Sequence, residues 1–289
     1  MVERVGGFFD EECMQVRERL CSPPDAPAGQ VAPARWSLHT IQQTFPFLAR
    51  LKHLPSIWKR LRRYGIRLRR GRPQYYSPDP QYRAKETHLL GILHVVATSK
   101  GRAIAVFVDE MGYQSWPDPS SNWCEQAPAP IPLADRKRSA PKQWRVIGAL
   151  NASTGRVLQL TDHLIGRRGV CDFLCQIYQA YKQEVDKIYV IWDNWPVHAH
   201  QEVVDTLKLL PKIELVWLPT YSPWLNPIEK LWRKFRQDIL YLHRFASDCS
   251  QFQQRVQEFF AQFASGSKDL LCSVGLSGTG KLATALRSL

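Results

Sequence analysis

Three prolines spaced four apart, Pro219, Pro223 and Pro227, sit in the stretch Trp217–Trp232 and restrict what it can become. Proline fixes φ and carries no backbone N–H, so neither a helix interior nor a central strand can run through Pro219 or Pro223. Leu218–Leu225 is therefore predicted to be a stiff loop that follows an apolar run and precedes a helical pattern. Asn226 reads as the N-cap of that helix, Pro227 as its first residue and Glu229 as its third. Two readings of Glu229 stay open here. One is a capping-box acid that accepts the Asn226 N–H at the positive end of the helix. The other is a reactive carboxylate held in a fixed place by a rigid loop.

The chain's charge is local. Lys and Arg exceed Asp and Glu by 39 to 26, a net +13, which points to a polyanionic partner. Residues 35–78 hold 11 of the cations and no acid: Arg35, Arg50, Lys52, Lys59, Arg60, Arg62, Arg63, Arg67, Arg69, Arg70 and Arg72. Within them apolar residues recur at helical spacing (Leu38, Ile41, Leu48, Leu51, Leu54, Ile57, Trp58, Leu61, Tyr64). Ser37 can cap one helix, Pro55-Ser56 opens another, and Gly65 ends it. Short helices of which the last is basic fit a helix-turn-helix, with Leu54–Tyr64 as the recognition helix. Ile66–Arg69 alternates like a short wing strand. The Arg69-Arg70-Gly71-Arg72-Pro73 segment suits a narrow minor groove. Lys59, Arg60, Arg62, Arg63, Arg67, Arg69, Arg70 and Arg72 are the candidate double-stranded DNA contacts.

Seven scattered cysteines without a C-x-x-C pair argue against a zinc site or a disulfide framework and for a reducing compartment. No apolar run is long enough for a membrane span, so a cytoplasmic protein without a membrane partner is expected.

From residue 101 onward the pattern is α/β. The continuous apolar runs Ala103–Val108, Lys187–Trp192 and Ile213–Leu218 read as buried strands. Met111–Trp116 is expected to turn back as a separate strand, and Trp144–Leu150 with Arg156–Leu160 to form a hairpin. Val170–Tyr181 and His198–Leu210 read as helices. In open α/β sheets sites lie beyond the carboxyl ends of strands. Asp109 and Asp193 occupy such ends, and Glu229 follows the next strand. Three carboxylates converging there would repel one another without a cation, and hard oxygen donors suit Mg²⁺ or Mn²⁺. Glu110 points the opposite way from Asp109 on a strand and is set aside. His198 reads more readily as a structural residue. Gly275-Leu276-Ser277-Gly278-Thr279-Gly280-Lys281 fits a phosphate-loop pattern by spacing alone, because Leu282 stands where a metal-binding Ser or Thr is needed.

Val108-Asp109-Glu110, Trp192-Asp193-Asn194 with His198, and Leu218–Glu229 with its Tyr221-Ser222-Pro223-Trp224-Leu225-Asn226-Pro227-Ile228-Glu229 string resemble the DDE transposases of the Tc/mariner-like insertion-sequence group. The resemblance runs from about Arg35 to Phe245. It implies a ribonuclease H-like catalytic fold with a mixed central sheet, preceded by a small all-α helix-turn-helix domain. It carries the acidic triad onto Asp109, Asp193 and Glu229. It also implies cutting at transposon ends and joining of the 3′-OH to target DNA by two metal ions, by a homodimer on DNA, at TA target dinucleotides. A silent DNA-binding derivative and a host nuclease of the same fold remain as alternatives. The expected organisation is residues 1–34 as a segment and linker, 35–78 as the DNA-binding region, 79–100 as a linker helix, 101–245 as the catalytic domain and 246–289 as a helical tail.

Overall fold

Side chains of a strand alternate between two faces, and one long strand puts this alternation to use for most of the chain. β1 (Ala103–Gln114) turns Ala105, Phe107, Met111 and Tyr113 to one apolar cluster and Ile104, Val106 and Val108 to another. The computed structural model describes residues 3–24, 33–69, 75–122, 124, 132–136 and 140–287. These fall into two units, Met1–Gln74 and Tyr75–Leu289.

In the larger unit β1 pairs antiparallel with β2 (Gln143–Asn151), and β2 with β3 (Val157–Asp162). On its other side β1 pairs parallel with β4 (Lys187–Trp192), and β4 with β5 (Ile213–Trp217), giving the order β3-β2-β1-β4-β5. Met111–Trp116 is not a returning strand. β1 runs straight through it because β2 pairs continuously from Val106↔Asn151 to Gln114↔Gln143.

In chain order the smaller unit holds α1 (Glu3–Arg19), α2 (Leu38–Thr44), α3 (Pro46–Ala49) and α4 (Leu54–Arg63). Ser37 caps α2 reciprocally: its Oγ accepts the Thr40 N–H at 3.1 Å, and its own N–H donates to Thr40 Oγ1 at 2.8 Å. Gly65 stops α4 at φ +74°, a left-handed conformation that costs glycine little. Cys13 and Val16 of α1 are buried with Ile41, Phe45, Leu48, Ile57, Leu61 and Tyr64. Arg17 donates to the Tyr64 carbonyl at 2.7 Å, and the Tyr64 hydroxyl donates to Glu12 at 2.5 Å. The amino-terminal segment is thus part of the helical core. The wing strand does not form, since the described residues of this unit offer no strand to pair with Ile66–Arg69 and Leu68 is exposed.

One face of the sheet carries α6 (Arg167–Tyr181) and α7 (Gln201–Lys208). The other carries α5 (Tyr82–Thr98), α8 (Ile228–Phe235), α9 (Cys249–Ala261), α10 (Lys268–Val274) and α11 (Lys281–Ala285). α5 is therefore a core layer and not a linker, with Leu89 and Leu93 fully buried. Nor is 246–289 a tail. Phe252, Phe259 and Phe260 pack with Phe235 and Tyr113 at ring separations of 5.1–6.0 Å. Among the described residues no helix is long and apolar enough to cross a membrane.

Phe252 is wholly enclosed between Tyr113, Trp144 and His243. Phe252→Ala is expected to lower the stability of this unit by about 3–5 kcal/mol in denaturant unfolding. A loss within experimental error would mean that the carboxyl-terminal helices are dispensable.

Candidate active site

The register of β1 against β4 brings the first two acids together. Phe107 lies opposite Ile191, and Asp109 and Asp193 each follow two residues later, so they are level. Asp109 is not at the end of its own strand. It lies in the middle of β1, just where β4 runs out and leaves its flank open. β5 ends beside Trp192 through the pair Trp192↔Trp217, and the proline-rich loop then carries the chain to Glu229 in the first turn of α8. Asp109, Asp193, Asn194, Asn226 and Glu229 line one cavity of about 400 Å³ with the loop as its wall.

The loop is fastened at every turn. Leu218 N–H donates to the Trp192 carbonyl at 2.9 Å, and Asn194 Nδ2 donates to the Leu218 carbonyl at 2.8 Å. Ser77 Oγ donates to the Thr220 carbonyl at 2.5 Å, while the Thr220 N–H donates to Asp79 at 3.0 Å. Trp224 Nε1 donates to the Tyr82 hydroxyl at 2.9 Å. Tyr221, at φ +51° and largely exposed, takes up the strain of the turn beside the cavity.

The capping-box reading of Glu229 is not borne out. The Asn226 N–H donates to the Pro223 carbonyl at 3.1 Å, so it has no need of the Glu229 carboxylate. The Asn226 side chain does not cap either: its Oδ1 is buried and has no partner. Pro227 already has helical φ and ψ of −61° and −26°, so the proline still sets where the helix begins.

Asp109 accepts a hydrogen bond from Trp232 Nε1 at 3.0 Å. The indole lies across β2 at Gly148, the residue paired with Asp109, where a Cβ would come within 2.7 Å of the ring. Burial, then the negative charges of Glu229 and Glu110, push the Asp109 carboxyl up to about 8 despite the indole. Burial also raises Glu229. Arg236 and Arg233 oppose this rise, while Asp193 adds to it. Asp193 behaves differently. Burial alone would raise its pKa, but His198 and the Trp195 N–H, which donates at 3.0 Å, bring it below the ordinary range.

His198 explains that difference, and it brings in a residue that strand alternation had set aside. Glu110 does point away from Asp109, to the opposite face of the sheet. There it accepts from His198 Nε2 at 3.1 Å, while His198 Nδ1 donates to the Asp193 carbonyl at 3.2 Å and lies 3.4 Å from Asp193 Oδ1. The ring stacks on Trp192 with a centroid separation of 4.0 Å and an interplanar angle of 2°. Burial by itself would discharge it, but hydrogen bonds to Asp193 and Glu110 outweigh that and hold its pKa near 9. Glu110 and His198 thus fix Asp193 from behind. The only sequence trace of this was a second acid beside Asp109 and a histidine five residues after Asp193.

Of the cations after Glu229, Arg233 and Arg236 act on the site. Lys234 pairs with Asp238 at 2.7 Å, and Lys230 packs against Gly275. Lys281 of the glycine-rich pattern pairs with Glu86 at 2.9 Å, away from any phosphate-loop geometry. In the smaller unit Lys59, Arg62, Arg63, Arg67 and Arg69 are exposed, and Arg62 lies over Trp58 at 4.9 Å. Arg60 instead faces Glu12 at 3.6 Å. Arg70 and Arg72 lie outside the described residues.

Residues 105–253 match the family model described as DDE superfamily endonuclease, just over half of the chain. The chain belongs to the DDE superfamily of endonucleases. A curated relative, the insertion element IS630 uncharacterized 39 kDa protein of Shigella sonnei, is 25% identical over 198 residues, covering 68% of this chain and 54% of that protein. The chain thus matches about half the length of that relative. Among solved structures, the Mos1 mariner paired-end complex with Mn superposes with a TM-score of 0.58 at 19% identity, over 96% of this chain and 84% of that one. The Mos1 paired-end complex with Mg gives 0.56 at 17% identity, over 96% and 85%. The ribonuclease H-like fold and the Tc/mariner-like resemblance read from the motifs agree with these DDE relatives.

Among the described residues no three His, Cys, Asp or Glu side chains form a closed metal cluster. Yet the donors facing this cavity suit a hard divalent ion. They are three carboxylates, two of them with raised pKa values.

Asp79 anchors the loop electrostatically as well as through Thr220. The Lys85 ammonium at 2.8 Å, followed by the N–H groups of Thr220 and Gln81, holds its carboxyl down at about 2. A depressed acid stabilises the fold above its ordinary value of 3.8 and loses that contribution as pH falls toward 2. Asp79→Asn should therefore speed hydrogen exchange at the Thr220 amide roughly tenfold at neutral pH. An unchanged rate would mean that Asp79 is not needed to hold the loop.

Proposed function

We propose that this chain is a transposase that cuts DNA at transposon ends and joins the freed 3′-OH to target DNA by phosphoryl transfer. The observation that carries this reading is the meeting of Asp109, Asp193 and Glu229, from three separate parts of the sequence, around one cavity where their charges are mutually unfavourable. Asp109, Asp193 and Glu229 would hold two Mg²⁺ or Mn²⁺ ions. Bound there, such ions supply an activated attacking hydroxyl and stabilisation of the leaving oxygen. The Mos1 structures of the same fold are paired-end complexes with Mn and with Mg, and a strand transfer complex, which supports the reading.

The chain's own residues prepare the site. His198, held by Glu110 and stacked on Trp192, keeps Asp193 ionised and in place. Trp232 orients Asp109. The proline loop fixes Glu229 before substrate arrives, so little reorganisation is left to the reaction. Arg233 and Arg236 lie where they can take phosphate oxygens. Because two ends must be joined, the acting form is a homodimer on DNA.

Glu229→Gln is the discriminating variant. Loss of one anionic ligand should lower the Mg²⁺-dependent cleavage rate by on the order of 10²-fold or more. EDTA should abolish cleavage by the parent. A carboxyl with raised pKa costs stability when ionised, so the variant should melt no lower than the parent. Parental cleavage by the variant would refute the catalytic reading, and a markedly lower melting point would make Glu229 structural.

The DNA-binding half of the proposal rests on the exposed face of α4, where Lys59, Arg62 and Arg63 stand clear of acids among the described residues. Neutralising these three should reduce the slope of log affinity against log salt by roughly 0.9 for each phosphate that is no longer neutralised. Arg60, engaged by Glu12, should contribute less. An unchanged slope would place DNA on another surface.

A further inference from the structure

The turn at the tip of the proline loop holds a residue that its backbone does not favour. Tyr221 has φ +51° and follows Thr220 in the turn between Pro219 and Ser222. Ser222 closes that turn from a buried position, its Oγ donating to the Pro219 carbonyl at 2.5 Å. At positive φ an L side chain crowds its own backbone, so glycine or asparagine is the usual occupant of such a position. A tyrosine there costs free energy, and backbone strain of this kind collects where a side chain has work to do.

The fold itself does not use this side chain. Tyr221 is 78% exposed, and among the described residues its ring and hydroxyl have no partner. Trp224, the other aromatic of the loop, differs: its Nε1 donates to the Tyr82 hydroxyl, and its ring lies 6.3 Å from that of Tyr82. Lys100 and Leu242, the other described non-glycine residues at positive φ, do not line the acidic cavity.

Tyr221 does line it, together with Asp109, Asp193 and Glu229. Trp195 lines it too, but that residue is committed to the site's own support. Its N–H donates to Asp193, and its ring meets His198 edge-on at 5.4 Å. The backbone on either side of Tyr221 is tied down. Thr220 is bonded through its N–H to Asp79 and through its carbonyl to Ser77, and Ser222 is bonded to Pro219. The position of Tyr221 is thus set before substrate arrives, while its ring is open to what enters. Charged groups in this cavity address a phosphate. A free aromatic face beside them suits the other part of a nucleotide, because every base has a π face on which an aromatic ring can stack.

We propose that Tyr221 is a substrate contact whose ring stacks on the nucleobase next to the phosphate that the three acids address, and so sets how far the strand enters the site. This rests on the transposase reading of the same cavity. Stacking is tolerant of sequence, so Tyr221 places the strand without choosing which sequence is bound. The face of the ring makes the contact, not the hydroxyl.

The test uses the full chain and a duplex of the element's terminal sequence, with 5-iodouracil in place of the base beside the cleavage point. Calcium replaces magnesium during irradiation so that no strand is cut. The parent should crosslink at Tyr221, Tyr221→Phe should crosslink at the same position, and Tyr221→Gly should not. With Mg²⁺, Tyr221→Phe should cleave within about twofold of the parent, whereas Tyr221→Gly should lose roughly tenfold or more in kcat/KM. Glycine tolerates the left-handed backbone, so Tyr221→Gly should melt no lower than the parent. The proposal is overturned if Tyr221→Gly cleaves as the parent does. It is overturned equally if Tyr221→Phe loses as much as Tyr221→Gly, which would put the hydroxyl and not the ring on the substrate. A clear drop in the melting point of Tyr221→Gly would make Tyr221 structural. A parent that cleaves but crosslinks elsewhere sinks this proposal alone, whereas a parent that does not cleave sinks the transposase reading and the stacking contact with it.

Discussion

Everything at the acidic end of the sheet depends on the parallel pairing of β1 with β4. Because Phe107 meets Ile191, residues two further along each strand are level, and both are aspartates. A slip of one residue would turn one of them to the opposite face. The apolar residues prevent that slip: Ala105 and Phe107 belong to one cluster, Val106 and Val108 to the other, and either face would be lost to a shift. Hydrophobic alternation, which knows nothing of chemistry, thereby sets the position of the acids.

The same sheet stores an electrostatic cost. The acids are brought together in a partly enclosed place, and burial, then the negative charges of Glu229 and Glu110, push the Asp109 carboxyl up to about 8. Asp193 is spared because a buried, charged imidazole lies behind it, anchored in turn by Glu110. The three acids are therefore not equivalent. One is held anionic from behind, one carries an indole N–H, and one stands at the start of a helix under the influence of two arginines. The proline loop keeps this arrangement from relaxing, since Thr220, Leu218 and Asn226 are each tied by backbone or side-chain bonds.

Much of this is legible in the chain. Val108-Asp109 and Trp192-Asp193 announce themselves as acids after apolar runs, and the prolines announce a rigid entry to Glu229. The misreadings have physical causes. Met111–Trp116 reads as a return because no local signal reveals that β2 pairs along the full length of β1. α5 and the carboxyl-terminal helices read as a linker and a tail because their apolar stripes do not name the surface they cover. Strand alternation is right about the direction of Glu110 but wrong about its relevance, since a partner 88 residues away comes to meet it.

Local chemistry written in the chain determined which segments are strands, where helices begin and stop, and which residues carry charge, because propensity, proline and glycine act within a few positions. Only the tertiary structure decided that Glu229 does not serve as a cap, that His198 and Glu110 support Asp193, and that α1 belongs to the amino-terminal core. Those outcomes depend on contacts between residues far apart in sequence, and pairing, burial and the resulting charge environment exist only once the sheet has closed its register.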